Sequence, residues 1–198
     1  MWRSLLVVLA LTASGCGGVS GADRADSDVT LLIGTKPTAV HAGIYLASER
    51  GFDEAESIDL TLRRKGDAKR LLRNQRVFAA ILDRPLPGTT CVMALTQAPR
   101  PGHFVCVLTT SLEDDRATVV ALVRTLQRGY TETIADPESA VQALLARVGG
   151  LDRSRAGADL DRVSPSFTAG VPAVGYLRRG TLPPGAFDRT LVGPSSRD

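Results

Sequence analysis

Val29-Thr30-Leu31-Leu32-Ile33-Gly34, then His41-Ala42-Gly43-Ile44-Tyr45-Leu46-Ala47-Ser48, then Ile58-Asp59-Leu60-Thr61-Leu62: the alternation of these three runs decides the fold class. The first is rich in β-branched and aliphatic residues and stops at a glycine, and Pro37 behind it turns the chain into a loop. From Thr38 or Ala39 the pattern becomes helical, with Ile44, Tyr45, Ala47 and Ser48 on one face and Gly51 closing the segment as a C-cap. The third run alternates apolar and polar residues as a half-buried strand does. Residues 67–73 read as a short basic amphipathic helix and residues 77–82 as an apolar strand. The order β-α-β-α-β predicts a layered α/β domain with a parallel sheet.

Working outward, Pro85, Pro87 and Gly88 break the chain before an apolar strand around Cys91, and Pro99-Arg100-Pro101-Gly102 separates it from another around Cys106. Two apolar strands flanking a tight Pro/Gly joint are expected to be antiparallel neighbours. Thr110-Ser111-Leu112-Glu113 has the form of a capping box, and Leu112, Val119, Val120, Val123 and Leu126 continue at helical spacing up to Gly129. Asp136-Pro137-Glu138 starts a second helix that runs to Gly149-Gly150. Residues 151–198 are rich in Gly, Pro, Arg and Ser and read as an irregular C-terminal segment, with a short helix around 184–189 and a β-like end at 190–192.

The N-terminus addresses the compartment. Met1 to Arg3 is short and positive, residues 5–11 are apolar, and Ala13-Ser14-Gly15 supplies small residues ahead of Cys16, the layout of an export signal too short to span a bilayer. With Cys16 directly after them, residues 1–15 resemble a bacterial lipoprotein signal in which Cys16 becomes the lipidated first residue. Residues 16–28 then form a polar tether and residues 29–150 the domain. Export leaves Cys91 and Cys106 as a pair where disulfides are permitted; both lie in apolar runs, so a bridge and two buried thiols remain equal alternatives. Without the first 15 residues the chain carries 23 basic and 21 acidic groups, a balance that gives no footprint for nucleic acid. Its 43% hydrophobic content excludes disorder.

The quoted strands and the His41-Ala42-Gly43-Ile44-Tyr45 run resemble the opening of substrate-binding proteins of ABC importers for thiamine pyrimidine precursors, sulfonates and nitrate. The H-x-G-x-Y pattern is most similar to the thiamine-precursor branch, and Arg128-Gly129-Tyr130 with Ala135-Asp136-Pro137-Glu138 resembles the family's late paired helices. The resemblance implies a periplasmic-binding-protein-like layered α/β/α fold of type II and a ligand-binding set of Lys36, Thr38, His41, Gly43 and Tyr45, with Gly66 and Asp67. It also implies an ABC permease and a small pyrimidine-like or anionic solute as partners, and attachment to the outer face of the cytoplasmic membrane through Cys16. The chain departs from the family where the second lobe would sit: residues 98–102 join the strands directly, which predicts one main lobe.

Each site residue also has a plainer reading. His41 can be a helix cap and Tyr45 a core residue, Gly43 admits either a ligand or a packed strand, and His103 reads as a turn residue. Arg63-Arg64-Lys65 with Lys69-Arg70 reads first as a solvated face and second as a seat for sulfonate or phosphate. Two histidines without a nucleophile at motif spacing, and no phosphate loop, leave no signature of an enzyme, a metal site or a cofactor. The rival to transport is a repurposed single-lobe lipoprotein that binds a protein and no small molecule.

Overall fold

The computed structural model describes residues 27–34, 36–96 and 103–167; the proposed signal, Cys16, most of the tether, the 98–102 joint and the elements expected at 184–192 lie outside them. The aliphatic run forms β1 (Ser27–Leu32), with a single 3-10 turn at Ala39–His41 leading into α1 (Ala42–Glu49). Gly51 follows with φ +64, the left-handed turn that glycine takes without a Cβ clash. Next come β2 (Ile58–Arg63), α2 (Ala68–Arg73), β3 (Ala79–Leu82), β4 (Thr89–Ala94) and β5 (Phe104–Leu108). These strands form one sheet in the order β2-β1-β3-β5-β4. β1 is parallel to β2 and β3, and β5 runs antiparallel to both β3 and β4. β3 and β4 are therefore parallel to each other although only residues 83–88 join them, a link carrying Pro85 and Pro87 where a parallel crossover usually holds a helix.

Period-two alternation sorts the strands between two cores. Val29, Leu31, Ala79, Val105 and Val107 face α1 and the later helices, while Leu32 and Ala80 face α2 with its Leu71 and Leu72. The register shift between Cys91 and Met93 puts Val92 and Met93 consecutively on the first face and returns Ala94 to the second. Cys91 and Cys106 stand directly opposite each other and form a disulfide, so of the two alternatives the bridge is realised. It packs with Ala94 and Phe104. The bridge closes a sequence separation of 15 residues, which restricts the unfolded chain enough that Cys91→Ser with Cys106→Ser, or reduction, should cost about 2–3 kcal/mol. Urea unfolding in the presence and absence of reductant checks it: identical midpoints would remove the bridge from the stability account.

Three expectations need correction. The helix expected to run from the Thr110 capping box to Gly129 is two: α3 (Thr109–Asp114) and α4 (Arg116–Ala135), broken at Asp115 with φ −134 and ψ 47. Thr110 lies inside α3, whose N-cap is Leu108 with no side-chain cap bond. Gly129 does not end α4, because this glycine sits where α4 crosses α1. The third concerns the chain beyond 150. α5 (Pro137–Arg147) starts as expected with Asp136 Oδ1 accepting from Ser139 N–H, but α6 (Arg153–Val163) occupies part of the segment read as irregular. Asp152 caps α6 by accepting from Arg155 N–H, and Ala156 and Leu160 bury its inner face. α1 packs against both α4 and α5, and α6 lies against α5 and the Ala39–His41 turn.

Candidate functional site

The parallel registers carry the ends of β1, β2 and β3 to one edge of the sheet, with Leu32 level with Arg63 and Ala80; the start of β5 joins them, Phe104 pairing with Leu82 and Ala94. In open α/β sheets this edge is where loops and helix starts converge on a ligand. Most of the residues singled out in the sequence lie on the loops and turn leaving it.

His41 closes the 3-10 turn and is 3% exposed. Its Nδ1 accepts from Thr38 N–H at 3.1 Å, the reach-back that Glu or Gln makes three residues into a helix. The proton of the neutral ring therefore sits on Nε2, which makes no hydrogen bond among the described residues. Across the edge the His103 ring meets it at right angles, with centroids 5.3 Å apart and an interplanar angle of 86°. Burial first, and His103 second, bring the His41 pKa down to about 4. His103 has φ +69, and its carbonyl accepts from Leu95 N–H, so the turn role read from sequence is real but leaves the ring free to meet His41. The chain's two histidines, 62 positions apart in sequence, are thus one feature.

Tyr45 lies one helical turn beyond His41, 3% exposed in the main core, with a buried hydroxyl that has no hydrogen-bond partner among the described residues. Its pKa is raised, chiefly by burial, against the opposing pull of Arg64 and Arg147. Gly43 faces another helix: a Cβ there would stand 2.8 Å from the Tyr130 ring. Tyr130 is fully buried and donates its hydroxyl to Val40 O at 2.6 Å, tying α4 to the turn that carries His41. Gly66 takes φ +147 with Leu71 packed where a side chain would go, and Asp67 caps α2 by accepting from Arg70 N–H at 2.6 Å. Lys36 and Thr38 are exposed beside the turn.

Sequence reasoning missed the neighbour of this turn. A shallow cavity of about 670 Å³ lies between Thr38, Ala39 and Val40 on one side and Asp159, Arg162 and Ser166 on the other. Phe167, just past it, bridges to Thr96 two residues beyond β4 and stacks edge-on against Tyr130 at 5.0 Å. The available signal was the spacing of Ala156, Leu160 and Val163, one face of a helix. Among the described residues no group of three or more His, Cys, Asp or Glu could hold a metal ion, and no helix is long and apolar enough to cross a membrane.

No family model and no curated protein matches this chain. Solved structures do. A Candida albicans gene product, described as exhibiting the generic periplasmic binding protein fold, superposes with a TM-score of 0.59 at 7% identity, covering 73% of this chain and 83% of its own. A protein from Bordetella bronchiseptica RB50 superposes with a TM-score of 0.58 at 10% identity, covering 85% and 93%. The chain has the α/β fold of periplasmic binding proteins, as the resemblance implied.

Proposed function

We propose that this chain is the lipid-anchored, extracytoplasmic solute-binding component of an ABC importer, with Cys16 as its anchor and no enzymatic role. Its solute is a thiamine pyrimidine precursor or a related small heteroaromatic or anionic molecule. The observation that carries this reading is the convergence of the Ala39–His41 turn, the ends of three parallel strands and both histidines on one sheet edge. A neutral His41 with its tautomer held by Thr38 offers Nε2–H as a donor of fixed direction, suited to a ring nitrogen. Arg64, just beyond β2, adds positive charge at the same edge. One lobe supplies one wall, so a second copy or the permease completes the enclosure. Each polar contact absent from the monomer forfeits about 1 kcal/mol.

Calorimetry of the protein with pyrimidines, sulfonates and thiamine compounds tests the reading. The expected result is weak binding by the monomer, abolished by His41→Ala; no heat with any of them, or heat unchanged in the variant, takes the site away from His41. The second reading, a repurposed lipoprotein that binds a protein alone, draws on a specific observation. Gly43, Gly66 and Asp67 all have packing or capping duties inside the lobe, and no ligand is needed to account for them.

A further inference from the structure

The most uneven charge in the molecule begins at the end of β2, where Arg64 borders the edge that carries the histidines, and continues over α2. Residues 63–76 contain Arg63, Arg64, Lys65, Lys69, Arg70, Arg73 and Arg76 against a single acid, Asp67, a local charge of +6 in a chain whose net charge is +3. The remainder is therefore net negative, and a uniformly arginine-rich composition does not account for the cluster. All seven cations are exposed, and none makes an ion pair among the described residues. The Arg63 side chain only donates from Nε to the Lys65 carbonyl at 3.0 Å. Folding keeps them together: β2 and α2 are consecutive, and Arg76 returns beside Thr30, Thr61, Arg63, Arg64 and Lys65 along one open groove.

We propose that this β2–α2 face docks onto an anionic phospholipid surface. The cations spread over a strand end and the exposed side of a helix instead of converging on an enclosed cavity, which fits a plane of phosphates better than a single anion. No aromatic residue occurs between 63 and 76, so the face has no platform on which to stack bases. Seven basic residues fall in the range of polybasic clusters that hold proteins to acidic bilayers, at about fivefold in affinity per engaged side chain. Only the location rests on the lipoprotein reading: the chain from Cys16 to Ser27 extends at most about 38 Å, longer than the roughly 20 Å of β1, so an anchored protein can bring this face to the bilayer.

Sedimentation of the full chain with vesicles of phosphatidylcholine alone, or mixed with phosphatidylglycerol, tests the proposal. Binding is expected to rise on the mixed vesicles and to fall by roughly a hundredfold in the triple variant Lys65→Gln, Lys69→Gln, Arg73→Gln, and far less when Arg84, Arg153 and Arg155 are changed to Gln. That second triple removes the same charge elsewhere, and matched thermal unfolding shows that both variants fold. Equal losses in the two triples, or no preference for phosphatidylglycerol, overturn the proposal. So does a saturable heat with inorganic phosphate that depends on the first three residues, because the site would then take a free anion. Solute binding at His41 is measured separately, so failure of one assay leaves the other standing.

Discussion

Gly129→Ala is expected to destabilise the protein by about 3 kcal/mol or more, because α1 and α4 touch backbone to backbone at this residue. A Cβ on Gly129 would overlap the Gly43 carbonyl oxygen and stand 2.7 Å from the Ala47 Cβ. Neither obstacle is a flexible side-chain tip, so relief requires the two helices to separate. Separation would loosen the Tyr130 ring against Gly43 and the Tyr130–Val40 hydrogen bond. Against this stands only the gain of roughly 0.5–1 kcal/mol that alanine has over glycine inside a helix, so the overlap wins. Gly157, in α6, has nothing within 4 Å of the place a Cβ would take, and Gly157→Ala should show that gain alone. Urea unfolding of both variants decides it. Similar small stabilisation in the two would mean that the helices do not meet at Gly129.

The same residue shows what the sequence could and could not reveal. Strand and helix periodicity made the β-α-β-α-β opening, the Cys91 and Cys106 strand pair and the Asp136-Pro137 helix start legible, since each rests on local pattern or turn chemistry. Gly129 looked like a helix end because glycine does end helices. Its actual reason is a contact with Gly43, 86 positions earlier in the chain, and spacing along one strand of sequence carries no such information. The break at Asp115 and the parallel course of β4 relative to β3 are of the same kind, because neither follows from local spacing.

For the candidate site the division falls elsewhere. His41 could be found because it opens a helix after a Pro-containing loop, and His103 could not, because its ring reaches His41 only through the position of β5 in the sheet. Gly43 and Tyr45 stand in register with His41 in the sequence, yet the helix that orders them turns Gly43 toward Tyr130 and Tyr45 into the core. The His41-to-Tyr45 run thus separates into one residue at the edge and two that hold the helix bearing it. Substitutions at Gly43 or Tyr45 that weaken solute binding therefore need a stability measurement beside them before either residue is assigned a contact.

Acidification should cost the protein stability through His41, and His41→Gln should remove that cost. The ring has an ordinary value of 6.5 when the chain is unfolded and about 4 in the folded protein, lowered by burial and then by His103. Between those values the unfolded chain binds the proton and the folded one does not, so stability rises with pH across the window. The contribution is fully present above about pH 6.5, declines as the pH falls toward about 4, and changes no further below that; the gap corresponds to roughly 3 kcal/mol. Gln at position 41 can still accept from Thr38 N–H, as Gln does in a capping box, so the variant keeps the local bond and loses only the titration. Carboxylates that titrate in the same range are common to both proteins and cancel in the comparison. Urea unfolding at pH 7 and pH 4 is expected to show a loss in the wild type larger than in His41→Gln by roughly 3 kcal/mol. Parallel pH profiles would mean that His41 is hydrated in solution, and the neutral Nε2–H donor assigned to it at the sheet edge would lose its physical basis.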